Sequence, residues 1–189
     1  MKDLKLYNLF EWALRFNVFF KLCHYGLGKI IGGQFYLKGA IPEEIGSIPL
    51  EDTGSYNLAW TFFGHSKGYI LAIGLSQIIG AVLFLMSRTK LLGGLMIIPI
   101  LVNIILVDIF YKVAYGALFS ACFYLLSVLI VLYGNRGKLV EAVQLLFTSV
   151  KNNEKSPAKW KKVLLGALAF AIIFGVELVF IGLFGYEDR

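Results

Sequence analysis

Ionisable and amide side chains interrupt several apolar segments of this chain, and they are the groups that could do chemistry. The stretch from Glu11 to Phe35 is long enough to cross the roughly 30 Å hydrocarbon core of a bilayer, yet it carries His24 and Lys29. Later apolar segments add four more such groups: Gln77, Asn103, Asp108 and Glu177. An ionisable group at membrane depth costs about 2.5–3.5 kcal/mol on insertion scales, so it normally faces a bundle interior or pairs with an opposite charge.

Opposite charges fall at similar depths when residues are counted from the inner end of each apolar segment. Lys29 and Glu177 lie about two-thirds of the way toward the outer side, and Asp108 lies near the outer end. We therefore predict a buried or cavity-lining cluster of these three residues. Three groups closer to mid-membrane would extend the cluster inward: His24, Gln77 and Asn103.

The helical angle of Lys29 leaves two arrangements open. One stripe of the first segment steps by three or four residues and comprises Asn17, Lys21, His24, Gly28 and Gly32. Lys29 points about 80–100° away from that stripe, at about 100° per residue. Either the cavity is broad, or Lys29 pairs with a different neighbour. In the inner half of the segment, Arg15 and Lys21 are expected to snorkel toward lipid headgroups.

The polar cluster has a functional and a structural interpretation, and both stay open. It could bind a substrate or a quinone or carry protons, or it could be an ion-pair network that holds the helices together. Gln77 and Asn103 are typical of hydrogen bonds between helices. A haem on His24 is disfavoured, because no second histidine lies in an apolar segment and His65 belongs to a polar loop. The identity of any cofactor stays open, with quinone as one candidate.

Motifs of independent enzymes are missing from the sequence. It contains no nucleophile elbow, no HExxH, no dinucleotide fingerprint and no pair of carboxylates at a recognisable catalytic spacing. Cys23 and Cys122 lie in separate apolar segments without metal-ligand spacing. We therefore predict no catalytic residues, no metal site and no independent catalytic activity.

Composition places these groups in a membrane protein. Hydrophobic residues make up 58% of the 189 residues, against about 45–50% in soluble domains. The net charge of +6 comes from basic residues clustered at the ends of apolar runs, which indicates membrane topology and anionic lipid, and argues against a nucleic-acid partner. The sequence predicts an all-α fold, a polytopic transmembrane helical bundle.

The predicted architecture has a four-helix bundle in residues 1–135, with an extracytoplasmic loop at 38–67. Residues 136–162 form a basic cytoplasmic segment, and residues 163–189 hold a fifth span and a short outer tail. The five predicted spans are residues 11–35, 68–87, 91–111, 115–133 and 163–184. The basic segment has an apolar stripe of Leu139, Val143, Leu146 and Val150. This stripe predicts a helix that either lies in the membrane interface or packs beneath the bundle.

The distribution of charge predicts the orientation. The connection from Arg88 to Lys90 and the stretch 134–162 are basic, whereas the loop 38–67 is acidic. The amino terminus is therefore expected in the cytoplasm and the carboxyl terminus outside. Trp60 and His65 are expected at the outer interface. Five basic residues are expected to contact lipid or a partner protein: Arg88, Lys90, Lys159, Lys161 and Lys162. The apolar fourth span is compatible with a homo-oligomer.

Several short motifs resemble the DoxX-like family of small bacterial membrane proteins. The segment LRFNVFFKLCHYGLGK is similar to the family's opening helix at Arg15, Gly26 and Lys29. Further similarity lies at WTFFGHS from Trp60 to Ser66, at Gly80 and Leu83, at SRTKLLGG from Ser87 to Gly94, and from Asn103 to Tyr111. The resemblance covers roughly residues 12–135. Gln77 departs from it, because the family often has an acidic residue there.

The resemblance implies a bacterial plasma (inner) membrane and a link to quinone or redox partners. The family's name derives from a subunit associated with a thiosulfate:quinone oxidoreductase, and the resemblance supplies no catalytic residues. We therefore expect an accessory subunit of a quinone-linked or redox membrane complex. Two alternatives stay open: a small-solute transporter or channel with Asp108 and Glu177 in its pathway, and a membrane scaffold or assembly protein.

Overall fold

The computed structural model describes residues 2–147 and 159–184, and over these residues the chain is all-helical, with 83% helix and no strand. This confirms the predicted all-α class. The chain divides into two units, Met1–Phe147 and Thr148–Arg189, and each is described by itself. The first unit contains α1 (Lys2–Ile31), α2 (Glu43–Gly46), α3 (Ser55–Gly64), α4 (Lys67–Leu85), α5 (Lys90–Phe110), α6 (Tyr115–Gly134) and α7 (Arg136–Phe147). The second unit contains α8 (Lys159–Phe184).

Three of these helices, α4, α5 and α6, are long and apolar enough to cross a membrane. They make the chain a membrane protein. α1 falls outside this set because charged side chains interrupt its apolar run. α8 holds a shorter apolar stretch, Val163–Val179. The predicted count of four spans plus one therefore stays a prediction for α1 and α8.

Four long helices form a bundle in the first unit. α1 packs along α4 and α6, and α5 packs along both α4 and α6. α1 and α4 are antiparallel, since Arg15 contacts Ser87 near one end and Lys29 contacts Gln77 toward the other. The apolar core between the four helices consists of Val18, Leu22, Ala81, Phe84, Ile97, Leu101, Tyr124, Val128, Val131 and Leu132.

A pair of glycines brings α1 and α4 close together. A Cβ atom on Gly26 would lie 3.0 Å from the carbonyl oxygen of Gly74, and a Cβ atom on Gly74 would lie 3.0 Å from that of Gly26. Any larger residue at either position would push the two backbones apart. This contact fixes the spacing between the two helices that carry Lys29 and Gln77.

The polar loop between α1 and α4 is partly helical. It contains α2, a 3-10 turn at Leu50–Asp52, and α3. α3 packs on the end of the bundle where α1 ends and α4 begins, and there Ala59 and Trp60 join Phe35 and Ile70 in a second apolar cluster. α3 was not predicted, because its ten residues are too few to display a clear helical period within a polar loop.

The predicted amphipathic segment corresponds to α7 in its first half. Leu139 packs against the bundle core, whereas Val143 is 49% exposed. Val150 and the side chain of Leu146 lie outside the residues that the structure describes. The choice between an interfacial and a bundle-packed helix stays open for the rest of the segment.

Candidate functional site

The side of α1 that faces the bundle is a stripe of six buried residues: Glu11, Arg15, Val18, Leu22, Gly26 and Lys29. They recur every three or four positions and therefore share one helix face. This corrects the predicted stripe, since Asn17 and His24 are exposed and Lys29 is buried. The prediction gave weight to polar residues and glycines, whereas the apolar Val18 and Leu22 mark the buried face.

One end of this stripe forms an ion-pair cluster. A carboxylate oxygen of Glu11 lies 2.7 Å from Nζ of Lys90 and 3.6 Å from Nε of Arg15. Asn135 donates a hydrogen bond to the other carboxylate oxygen at 3.2 Å, and Arg15 donates one to Oγ of Ser87 at 3.4 Å. Arg15 is only 4% exposed, so it is buried where snorkelling was expected. Lys90, which we expected to contact lipid or a partner, pairs within the chain.

Farther along the same stripe, Lys29 meets Gln77. Lys29 follows Gly26 by three residues and Gln77 follows Gly74 by three residues. In a helix the side chains lean toward the amino-terminal end, so in antiparallel helices these two long side chains converge across the glycine contact. The ammonium of Lys29 donates a hydrogen bond to Oε1 of Gln77 at 3.1 Å. Both side chains are buried, at 7% and 1% exposure.

Asp108 completes the polar group near the end of α5. It is 6% exposed and lines the same two cavities as Lys29 and Gln77. Within residues 2–147 the ion pairs are those of Glu11, so Lys29 and Asp108 face common cavities without a direct ion pair. Their opposite charges compensate each other across the space between them.

Two cavities, of about 320 and 130 Å³, share this polar wall. The larger is bounded by α4 and α5, and the smaller by α1, α5 and α6. A volume of about 320 Å³ is at the lower end of the range of about 300–1,000 Å³ for small-molecule sites. Six residues line both cavities: Lys29, Gln34, Trp60, Gln77, Ile104 and Asp108.

Aromatic side chains cover the end of the two cavities that lies beside α3. Trp60 of α3 is 9% exposed and stacks on Tyr56 at a ring separation of 4.1 Å. Phe35 contacts Trp60 edge-on at 5.7 Å and Phe63 at 5.4 Å. Gly64 lies directly against the backbone of Tyr36, which holds α3 down on the end of α1. Burial and the neighbouring Tyr36 raise the pKa of the Tyr56 phenol.

The exposed lining residues of the larger cavity lie on α4 and α5, and we call this part of the cavity its mouth. Pro99 and Asn103 of α5 are exposed and line it, and Ile73 and Ser76 of α4 are half-buried and line it opposite. Pro99 has no N–H, so it removes one backbone hydrogen bond of α5 beside the cavity. Asn103, predicted as an inward extension of the cluster, therefore lies at the mouth.

Two buried polar atoms at the cavity wall have no partner in the part of the chain that the structure describes. They are Nε2 of Gln77, a donor, and Oδ2 of Asp108, an acceptor. A buried polar atom without a hydrogen bond costs about 1–3 kcal/mol. Because both side chains line the cavities, a polar group bound there would satisfy them.

The remaining predicted residues of the first unit lie away from these cavities. His24 is exposed and contacts the ring of Tyr25 edge-on, so it does not extend the cluster. His65 is exposed and lines a separate cavity of about 710 Å³, formed by the loop with α3 and α4. Arg88 is also exposed.

Four predicted residues belong to the second unit, and one of them, Lys161, lies 5.6 Å from the ring of Trp160. Glu177 lies in α8, and its place in the cluster with Lys29 and Asp108 stays a prediction. Lys159 and Lys162 are also in α8, and their side chains lie outside the described residues.

Three residues of these sites were not predicted: Gln34 at the shared wall, and Glu11 and Asn135 in the ion-pair cluster. Gln34 follows the last residue of α1 by three positions, in a turn whose direction no periodicity reveals. Glu11 had a signal, because it precedes Arg15 by four residues, the spacing of an ion pair within a helix. In residues 2–147 and 159–184, no group of three His, Cys, Asp or Glu side chains is placed to hold a metal.

Comparison with known proteins gives one partial match. The chain is 41% identical over 99 residues to the uncharacterized protein YwoB of Bacillus subtilis (strain 168). The matched residues are 52% of this chain and 58% of the relative, so the chain spans somewhat more than half the length of that protein. No family model and no solved structure matches the chain.

Proposed function

We propose that this chain is an accessory subunit of a quinone-linked membrane redox complex, and that it binds a quinone head in the cavities around Lys29, Gln77 and Asp108. One observation carries the proposal: buried donors form the wall that two otherwise apolar cavities share, beneath a cover of aromatic rings. Quinone heads are flat rings that carry two carbonyl acceptors.

The cavity walls fit the two parts of such a head. Trp60 and Phe35 offer aromatic surfaces for the ring. Lys29 uses one of its three N–H groups on Gln77, and the Nε2 donor of Gln77 has no partner within residues 2–147, so both residues have donors for carbonyl oxygens. The mouth between α4 and α5 would admit the apolar tail, because both helices are apolar enough to be surrounded by lipid.

A pathway for a solute is less well supported. The cavities lie in the half of the bundle near α3, and the half toward the Glu11 cluster is filled by fully buried side chains, among them Val18, Phe84 and Ile97. A path through the first unit would have to open this core. A scaffold protein would need no hydrogen-bond donors that face a cavity, so this alternative leaves the donors of Lys29 and Gln77 unexplained.

The proposal also includes the membrane topology, the family, the oligomeric state and the partner that the sequence predicts. We place α1, α4, α5, α6 and α8 across a bacterial plasma membrane, with the amino terminus in the cytoplasm. Membership in the DoxX-like family, a homo-oligomer and a redox partner are likewise proposed. The basic connection at Arg88 and the acidic loop before α4 support this orientation.

Fluorescence of Trp60 offers a direct test of quinone binding. The chain has three tryptophans, so a Trp12→Phe, Trp160→Phe background leaves Trp60, which lines both cavities, as the reporter. We expect a short-chain benzoquinone to quench it saturably in lipid nanodiscs. Lys29→Met should weaken binding at least about tenfold, since hydrogen bonds from charged groups contribute about 1.5–3 kcal/mol.

The matched control is Lys21→Met, a lysine of the same helix that lines neither cavity. It should leave the titration unchanged. Quenching that does not saturate, or that is equal in the two lysine variants, would refute quinone binding at this site.

A further inference from the structure

Resting on the proposed function, we infer that the site discriminates between the two redox forms of its ligand and binds the hydroquinone more tightly than the quinone. This inference is based on Asp108, a hydrogen-bond acceptor that lines the cavities together with the donors of Lys29 and Gln77. Asp108 is 6% exposed, lines both cavities, and leaves Oδ2 without a hydrogen bond within residues 2–147.

The orientation of the Gln77 amide fixes which groups the wall offers. Because Oε1 accepts from Lys29, the Nε2 donor is the free end of the amide. Lys29, Gln77 and Asp108 thus present two donors and one acceptor to the cavities. Lys29 also supplies the positive charge that compensates the carboxylate, so no net charge is required of the ligand.

The quinone and the hydroquinone differ in which of these three side chains they can form hydrogen bonds with. A quinone oxygen can only accept, so it satisfies Lys29 and Gln77 and leaves the carboxylate of Asp108 facing a second acceptor. A hydroquinone oxygen accepts from the same donors and also donates its O–H to Oδ2 of Asp108. Hydrogen bonds to charged groups correspond to a factor of about 10–100 in affinity, and we expect a preference of at least tenfold.

A preference of this sign has a measurable redox consequence. Tighter binding of the reduced form raises the midpoint potential of the bound couple relative to the free one. For a two-electron couple, a tenfold preference corresponds to about 30 mV. Bound to this subunit, the ligand would therefore be a better electron acceptor than the free quinone in the same membrane.

The test compares three probes by calorimetry in nanodiscs: a short-chain benzoquinone, its hydroquinone under anaerobic conditions, and the dimethyl ether of that hydroquinone. The ether has the same ring but no O–H donor. We expect the hydroquinone to bind at least about tenfold more tightly than the other two. Asp108→Leu should abolish the difference, Asp108→Asn should retain part of it through the amide oxygen, and the exposed-loop control Asp52→Leu should leave it unchanged.

Each outcome has a distinct meaning. Equal affinities in the unmodified protein, or tighter binding of the quinone, would overturn the inference and leave the proposed function intact. Binding of none of the probes would refute the proposed function with it. If Asp108→Leu fails to fold, the comparison of hydroquinone with its ether in the unmodified protein still decides the matter.

Discussion

Removing the ammonium of Lys29 should destabilise the first unit by an amount that depends on Gln77. Lys29 is 7% exposed and donates to Gln77 at 3.1 Å, so Lys29→Met leaves a buried acceptor unpaired and the charge of Asp108 uncompensated. We expect a loss of about 2–5 kcal/mol in the free energy of unfolding. Gln77→Leu alone should cost about 1–3 kcal/mol, because it leaves the ammonium without its acceptor.

The double variant isolates the coupling energy of the hydrogen bond between Lys29 and Gln77 from the other effects of the two substitutions. In Lys29→Met, Gln77→Leu both partners of the hydrogen bond are apolar, so neither is left unpaired across that contact. The double variant should therefore be more stable than the sum of the single effects predicts, by at least about 1 kcal/mol.

Reversible unfolding in detergent micelles, followed by circular dichroism, measures the four proteins of this cycle. Lys21→Met controls for the loss of a lysine from α1 and should change stability by less than about 0.5 kcal/mol. Additivity of Lys29→Met and Gln77→Leu within about 0.5 kcal/mol would refute the reasoning, because it would mean that the contact contributes no coupling energy.

Three further predictions concern the frame around the site, and the same unfolding assay checks them. Gly26→Val should destabilise the bundle by about 1–3 kcal/mol, because its Cβ would meet Ile78 at 2.8 Å, whereas Gly28→Val, with open space around it, should not. Glu11→Gln should cost about 2–4 kcal/mol, since it removes the counter-charge of two cations; an unchanged midpoint would mean that the cluster is energetically neutral. Lys112 has φ of 54°, so Lys112→Gly should preserve or raise stability while Lys112→Val lowers it.

The long apolar elements could be read from the sequence to within two residues. α4, α5 and α6 begin and end close to the predicted segments because continuous apolar runs bounded by charged or glycine residues leave little choice. α1 begins at Lys2, well before the predicted start at Glu11, because its first turns are amphipathic and lack a continuous apolar run.

The site was less accessible to sequence reasoning. The number of residues from the end of each apolar segment placed Lys29 and Asp108 at similar depths, and in the structure both line the same cavities. The partner of Lys29 could not be predicted, because it depends on which glycine of α4 faces Gly26, and that is a property of packing. His24 was misplaced for the same reason: its face is set by what α1 packs against. Trp60 was assigned to an interfacial belt because α3 was not foreseen.

The hydrogen bond between Lys29 and Gln77 also sets an order of events during synthesis. Its two partners are 48 positions apart in the chain. At about 5–20 residues per second, roughly 2–10 s pass between the emergence of Lys29 from the ribosome and that of Gln77. With α1 across the membrane, as we propose, its cation has no acceptor during that interval, so we expect the ammonium to stay in contact with headgroups or water. We therefore expect α1 to reach its final depth in the membrane only after α4, which carries Gln77, has been synthesised and inserted.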